Sequence, residues 1–175
     1  MAKSSKNIVL VGLMGSGKTT IGRRLAHELN QDFFDTDHEL IDKTGVTIDH
    51  IFDIEGEKGF RERETKILEN LSQMSNIILA TGGGIVILTK NREILKNAGL
   101  VVYLYSSVEQ LLRRTAKSKT RPLLENSTDR RKTITDLLEV RDTYYREVAS
   151  VVIDTTGKEL YEVVNIIKRE TENVD

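Results

Sequence analysis

The 175-residue sequence has no cysteine, no tryptophan and a single proline, Pro122. Without cysteine it can form neither a disulfide nor a cysteine-ligated zinc site, which fits a reducing compartment. The first apolar run, Ile8 to Val11, is far too short for a signal sequence or a membrane span. We therefore expect a cytoplasmic protein that does not insert into membranes.

A strong excess of either charge is also lacking, since the formal net charge is -1. This balance argues against a protein that binds nucleic acid through its overall charge. Hydrophobic residues make up 38% and charged residues 30%, as in an ordinary globular domain. The length fits one domain, residues 1–175, and no internal repeat is visible.

Short β-branched runs alternate with amphipathic stretches along the chain. This alternation predicts an α/β fold of three layers, in which helices cover both faces of a five-stranded parallel sheet. The predicted strands are Asn7–Val11, Asp32–Asp35, Ile77–Ala80, Leu100–Tyr105 and Val151–Thr155. The predicted helical faces are Ile21/Leu25/Leu29, Phe60/Ile67/Leu71/Met74 and Leu160/Val163/Val164/Ile167.

Residues 12–19, Gly-Leu-Met-Gly-Ser-Gly-Lys-Thr, match the phosphate-binding pattern G-x-x-x-x-G-K-[ST] between a strand and a helix. A chance match in a chain of this length is roughly a one-in-a-hundred event. Lys18 is expected to reach the β- and γ-phosphates of ATP, and the Thr19 hydroxyl to bind Mg²⁺. We expect the nucleotide to be bound here by Gly15, Ser16, Gly17, Lys18, Thr19 and Thr20.

The phosphate loop does not identify the phosphate acceptor. A guanine-specific switch protein usually carries Asn/Thr-Lys-x-Asp, whereas the nearest sequence here, residues 89–92, ends in an arginine. No basic array large enough for a nucleic-acid motor is obvious. A kinase of a small acceptor is therefore the leading hypothesis.

Asp35 and Asp37 end the second predicted strand, and the carboxyl end of such a strand opens into the ligand crevice of a parallel sheet. Period-two alternation would point both carboxylates to one side. One carboxylate would then hold the hydrated Mg²⁺ and the other would accept a hydroxyl proton. A helix cap with a solvated turn explains the pair equally well.

Two further motifs fit an acceptor pocket. Arg61 and Glu64 are neighbours on one helical face, so Glu64 could orient Arg61 toward a substrate carboxylate, although a charged helix surface is the commoner meaning of this spacing. Residues 81–84, Thr-Gly-Gly-Gly, follow the third strand and permit close approach of a ligand to the backbone.

A basic stretch runs from Arg113 to Lys132, with eight basic and two acidic residues. Its central part, about residues 116–131, lacks a sustained apolar stripe and is predicted to be a mobile surface loop that could close over a triphosphate. Within the stretch we expect Arg121 and Arg114 to contact the nucleotide. Arg141, taken alone, would be assigned to the surface.

Taken together, these motifs resemble the shikimate kinase family over nearly the whole chain. The matching motifs are Asp-x-Asp at 35–37, Gly-Glu-x-x-Phe-Arg-x-x-Glu at 56–64, Gly-Gly-Gly at 82–84, Arg-Pro-Leu at 121–123 and the late arginine, Arg141. Five ordered motifs behind a phosphate loop are much more specific than any one of them.

The resemblance implies Mg²⁺- and ATP-dependent phosphorylation of the 3-hydroxyl of shikimate. It implies a P-loop kinase domain with a substrate-binding segment at about 37–64 and a lid at about 116–131. By analogy with the family, Asp37 is the candidate base, Arg61 and Arg141 grip the shikimate carboxylate, and Gly83 lines the ring pocket. Asp35 holds Mg²⁺ through water, Arg121 reaches the phosphates from the lid, and Arg114 packs against adenine. Lys18, Asp37 and Arg121 are thus the expected catalytic residues, and a monomer is expected.

The sequence departs from the family where Thr143 replaces the proline of Arg-x-Pro-x-Tyr, and where residues 155–158 lack a proline that is often present. The loss of the first proline is expected to alter how the helix ends. Two alternatives stay open. One is another small P-loop kinase such as a gluconate kinase, and the other is a regulatory protein that binds nucleotides or nucleic acid.

Overall fold

A computed structural model describes residues 6–117 and 122–174. Its central feature is a five-stranded sheet in the order β2-β3-β1-β4-β5, with every neighbouring pair parallel. The strands are β1 Ile8–Val11, β2 Asp32–Asp35, β3 Ile77–Ala80, β4 Leu100–Tyr105 and β5 Val151–Asp154. All five predicted strands are confirmed to within one residue.

Helices connect the strands and cover both faces of the sheet. They are α1 Lys18–Leu29, α2 Thr36–Thr44, α3 Ile48–Ser72, α4 Thr89–Ala98, α5 Val108–Thr115, α6 Pro122–Glu125, α7 Arg130–Val148 and α8 Leu160–Glu172. The alternation of side chains in β1 divides the core: Val9 and Val11 pack with the α3 and α7 side, and Ile8 and Leu10 with the α1 and α8 side. The predicted three-layer α/β fold is confirmed. Within the described residues, no helix has the length and apolarity needed to cross a membrane.

Two of the predicted core residues are exposed. Met74 lies beyond the end of α3 at Ser72, so the helical period that assigned it to the core no longer applies there. Leu160 is the first residue of α8, and the buried stripe of that helix begins at Val163. The remaining residues of both predicted faces are buried.

The predicted surface loop at residues 116–131 is partly helical. α6 occupies Pro122–Glu125, and α7 begins at Arg130. Leu124 of α6 is buried in the hydrophobic core. This contact anchors a stretch whose polar sequence predicts a surface loop. Arg121 lies outside the described residues.

The strand register brings three loops together at one edge of the sheet. Asp35 is aligned with Ala80 across the β2–β3 pair, and Leu10 is aligned with Ala80 across the β1–β3 pair. The segments that follow these strands therefore start side by side. They are the phosphate loop, the Asp35–Asp37 segment and the Thr81–Gly84 turn.

Candidate active site

The phosphate loop lies between β1 and α1 as predicted. Gly15 and Gly17 have φ values of 82° and 95°, a left-handed region that favours glycine and lets the loop curl. Lys18 Nζ donates hydrogen bonds to the carbonyl oxygens of Gly12 at 2.7 Å and Leu13 at 3.0 Å. The ammonium group thus lies across the loop, beside the backbone that would surround a phosphate.

Gly17 caps α1 without a side-chain hydrogen bond to the first turn of the helix. The N–H groups of that turn and the positive end of the helix dipole therefore face the loop, as anion binding requires. Ser16 is fully buried and Thr20 is exposed at the start of α1. All six residues expected to bind nucleotide thus lie in or beside one cradle.

Two oxygen donors lie together at the edge of this cradle. The Thr19 hydroxyl donates a 2.8 Å hydrogen bond to Asp35 Oδ2, and Asp35 is almost fully buried. Hydroxyl and carboxylate oxygens are ligands that suit Mg²⁺, which usually completes its shell with water and substrate phosphates. No group of three or more carboxylate or imidazole side chains that could hold a metal occurs among the described residues. The pair therefore fits an ion shared with a nucleotide.

The prediction that strand alternation points Asp35 and Asp37 to one side is wrong, because Asp37 is not part of a strand. Asp35 ends β2 and caps α2, accepting hydrogen bonds from the backbone N–H groups of Asp37 at 3.0 Å and His38 at 3.3 Å. Asp37 lies in the first turn of α2. Asp35 therefore caps α2 and also lies at the cleft with Asp37.

Asp37 is half-buried in the cleft, against the glycine turn. A methyl group added to Gly82 would lie 3.0 Å from Asp37 Oδ1 and 2.8 Å from Glu64 Oε2, so both carboxylates border this glycine. Burial and then the neighbouring charge of Asp35 raise the pKa of the Asp37 carboxyl above its ordinary value. A raised pKa makes the carboxylate a better proton acceptor.

Arg61 and Glu64 are buried, so the interpretation of this pair as a helix surface is wrong. They are 8% and 2% exposed. Arg61 Nη1 donates a 2.9 Å hydrogen bond to Glu64 Oε1, and Arg61 Nη2 lies 3.4 Å from Glu57 Oε1. Burial raises the pKa of Glu64 to about 7, although the charge of Arg61 opposes the shift. Among the described residues, Arg61 Nε and Glu64 Oε2 have no hydrogen-bond partner.

Arg141 is likewise buried, at 4% exposed, although its sequence context would have placed it at the surface. It projects from α7 toward the glycine turn, and a methyl group added to Gly83 would lie 3.6 Å from Arg141 Nη1. α7 runs uninterrupted from Arg130 to Val148, so Thr143, in place of proline, leaves the helix intact and Arg141 in the site. Two guanidinium groups from distant helices thus border one pocket.

Gly83 joins the two halves of the site. A methyl group added to Gly83 would lie 3.3 Å from the backbone nitrogen of Met14 in the phosphate loop and 3.6 Å from Arg141 Nη1 in the acceptor half. The turn is held by a hydrogen bond from the Gly82 N–H to Thr36 Oγ1 at 2.9 Å. The triple glycine is therefore a packed wall of the cleft and not a flexible exit loop.

The cleft has a volume of about 830 Å³ and is bordered by the phosphate loop, Asp35, Asp37, Arg61, Glu64, residues 81–84, Arg114 and Arg141. Arg114 Nη1 donates a 3.2 Å hydrogen bond to the Gly15 carbonyl, which places it on the phosphate-loop side. Every predicted site residue with described coordinates except Ser16 borders this cleft. Ser16 lies buried in the phosphate loop.

One part of the cleft is apolar and was not predicted from the sequence. Ile48, Phe52 and Phe60 line it, and the rings of Phe52 and Phe60 lie 4.7 Å apart. Ile48 and Phe52 are four residues apart and share one helical face, but Phe60 lies beyond a break in α3 at Gly56, so helical spacing does not group the three residues.

Comparison with known proteins identifies related chains. The family model described as shikimate kinase matches residues 14–172. A protein of Burkholderia lata named shikimate kinase is 48% identical over 166 residues, which is 95% of this chain and 90% of that protein. The solved structure of shikimate kinase from Acinetobacter baumannii in complex with shikimate aligns with a TM-score of 0.95 and 46% identity, covering 99% of this chain and 96% of that one. Shikimate kinase from Aquifex aeolicus aligns with a TM-score of 0.82 and 35% identity, covering 95% and 96% of the two chains.

Proposed function

The chain belongs to the shikimate kinase family, and we propose that its cleft transfers the γ-phosphate of ATP to the 3-hydroxyl of shikimate. The products would be ADP and shikimate 3-phosphate. One observation carries the proposal: two buried arginines, Arg61 and Arg141, border the same pocket as the Asp37 carboxylate, beside a complete phosphate loop. The solved relative from Acinetobacter baumannii is itself a complex with shikimate.

The acceptor half selects an anionic hydroxy acid. Arginine binds a carboxylate through paired N–H donors, and burial strengthens that interaction because water is excluded. Arg61 and Arg141 together would bind the shikimate carboxylate, and Gly83 would lie against the ring. Phe52 and Phe60 supply an apolar surface for the carbon skeleton.

The phosphate half binds the triphosphate and its metal ion. The N–H groups of Gly15 to Thr20 would surround the β-phosphate, while Lys18 would reach the β- and γ-phosphates. Thr19 and Asp35 would hold Mg²⁺, Asp35 through water. When bound, Mg²⁺ would neutralise phosphate charge.

Asp37 lies where an acceptor hydroxyl would meet the phosphate. In the transfer, a bond forms between the 3-hydroxyl oxygen and phosphorus, and the bond to the ADP oxygen breaks. The hydroxyl proton would pass to Asp37, whose raised pKa suits this role. Orientation of the hydroxyl by the same carboxylate contributes as well, because phosphoryl transfer depends strongly on positioning.

Several further assignments belong to the same proposal. Residues 37–64 would form the substrate-binding segment and residues 116–131 the lid, from which Arg121 would reach the transferring phosphate. Arg114, which donates a hydrogen bond to the Gly15 carbonyl, would pack against adenine. We propose that the protein acts as a cytoplasmic monomer on two small molecules.

The test is an acceptor panel. ADP release would be measured with ATP and Mg²⁺ in the presence of shikimate, gluconate or AMP, and the product would be examined by proton–phosphorus correlation NMR. We expect strong stimulation by shikimate alone and a phosphorus coupling to the proton on carbon 3. Equal stimulation by gluconate, or a phosphate on another hydroxyl, would show that the acceptor assignment is wrong.

A further inference from the structure

Two aromatic residues, Tyr103 of β4 and Tyr145 of α7, are fully buried beneath the acceptor half of the cleft. The Tyr145 hydroxyl donates a hydrogen bond to the carbonyl oxygen of Gly83. Resting on the proposed function, we propose that Tyr145 is a positioning residue that keeps Gly83 and Arg141 at the spacing which the shikimate ring and carboxylate require. It does so without touching the acceptor.

The link to Arg141 follows from the helix. Arg141 and Tyr145 are four residues apart in α7 and therefore lie on the same face. A methyl group on Gly83, whose carbonyl accepts from Tyr145, would lie 3.6 Å from Arg141 Nη1. The Tyr145 hydroxyl thus holds the backbone segment against which the Arg141 guanidinium lies.

Burial keeps this connection in one protonation state. It raises the pKa of Tyr145 far above its ordinary value, so the hydroxyl keeps its proton at every working pH. The donor to the Gly83 carbonyl is therefore always present. A pH-dependent loss of the contact is not expected.

Gly83 lies against both halves of the site. A methyl group at Gly83 would lie 3.3 Å from the Met14 backbone nitrogen and 3.6 Å from both the Gly12 carbonyl oxygen and Arg141 Nη1. A shift of this carbonyl would therefore change the gap between Gly83 and Arg141 and the wall of the acceptor pocket. Misplacement by about 1 Å is enough to reduce turnover on the order of a hundredfold.

Tyr103 provides a matched control. Its ring lies 4.9 Å from that of Tyr145, and it is equally buried. Its hydroxyl, however, donates a 2.7 Å hydrogen bond to Asp142, which also binds Arg146 on the exposed side of α7. Replacing Tyr103 with phenylalanine removes a buried hydroxyl from the same aromatic stack and leaves the Gly83 contact intact.

The experiment compares Tyr145→Phe with Tyr103→Phe in steady-state kinetics and thermal melting. Each change removes one buried hydrogen bond, so we expect both to lower the melting temperature by about 2–4 °C. Only Tyr145→Phe should raise the KM for shikimate, on the order of tenfold, with the KM for ATP changed by no more than about twofold. In an Arg141→Lys background, Tyr145→Phe should raise the KM for shikimate by a much smaller factor than it does alone, because both changes disturb the same spacing between Gly83 and residue 141.

Each result decides the matter. If Tyr145→Phe and Tyr103→Phe have equal kinetic effects, or if Tyr145→Phe raises both KM values equally, the hydroxyl is a stability element only. Full additivity with Arg141→Lys would also overturn the proposal. If the wild-type protein releases no ADP with shikimate, the proposed function fails first, and the role of Tyr145 fails with it.

Discussion

Gly84 packs closely against Arg61, a proposed substrate-binding side chain. A methyl group placed on Gly84 would lie 2.3 Å from Arg61 Nη2, 2.4 Å from Nη1 and 2.5 Å from Cζ. Non-bonded heavy atoms prefer about 3.5 Å, so the guanidinium would have to retreat by about 1 Å. Gly84→Ala should therefore displace Arg61 without altering any charge.

The size of the effect follows from the surroundings of Arg61. Its guanidinium is held at 2.9 Å by Glu64, and the stem is anchored in α3, so the shift must disturb this pair. Overpacking of this kind costs about 1–3 kcal/mol of folding free energy. A carboxylate grip displaced by 1 Å should lower kcat/KM for shikimate by about 10- to 100-fold. The KM for ATP should change by no more than about twofold, since Lys18 and its loop are untouched.

The control uses the same substitution in an Arg61→Lys background. An ammonium group lacks the flat fork that faces Gly84, so most of the clash should be absent. We expect Gly84→Ala to lower kcat/KM for shikimate by a much smaller factor in this background than in the wild type. The reasoning is refuted if Gly84→Ala leaves the KM for shikimate unchanged, or if its cost is the same in both backgrounds.

Two further predictions concern the carboxylates of the acceptor pocket. Burial raises the pKa of Glu64 to about 7, so below that pH Glu64 is neutral and the charge of Arg61 is available to the acceptor carboxylate. Above pH 7 the ionised Glu64 competes for that charge. The KM for shikimate should therefore rise as pH increases through 7, by at most about tenfold per pH unit. Glu64→Gln should flatten this profile, whereas Glu57→Gln, at a more exposed partner of Arg61, should keep it; a sloping Glu64→Gln profile would assign the titration elsewhere. Asp37→Asn should lower kcat by about 10²-fold or more, with ATP binding by calorimetry close to that of the wild type. Unchanged turnover would remove Asp37 from the reaction.

The sheet was predictable because its signals are local. β1, β3, β4 and β5 are short apolar runs with β-branched residues, and β2 is built on Phe33 and Phe34. The phosphate loop occupies consecutive residues, so neither signal depends on distant parts of the chain. The sequence also predicts that Asp35 and Asp37 lie at one strand end. Strand alternation does not explain their positions, because the chain turns into α2 directly after Asp35 and the alternation stops there.

The buried arginines were not predictable from the residues around them. A charged pair three residues apart looks the same on an exposed helix face and in a cleft, and only packing against distant elements separates the two. Gly84 covers Arg61 and Gly83 lies beside Arg141, contacts that join α3, the β3 turn and α7 across long sequence separations. The resemblance to a family supplied this placement, and the structure supplies its physical basis.

The contact between Tyr145 and Gly83 shows the same limit. Tyr145 is fully buried, although the residues four and three positions before it, Arg141 and Asp142, are charged. Nothing near Tyr145 in the sequence indicates that its hydroxyl meets a carbonyl 62 residues earlier in the chain. Long-range hydrogen bonds of this kind require the packed fold.

The most direct test of the acceptor pocket is the ratio of kcat/KM for shikimate to kcat/KM for gluconate, measured with wild-type protein at saturating ATP and Mg²⁺. Both acceptors carry a carboxylate and hydroxyls, so the ratio isolates the fit of the ring between Gly83 and the two arginines. We expect shikimate to be preferred by at least about 10³-fold. A ratio near one, or a preference for gluconate, would contradict the proposed pocket.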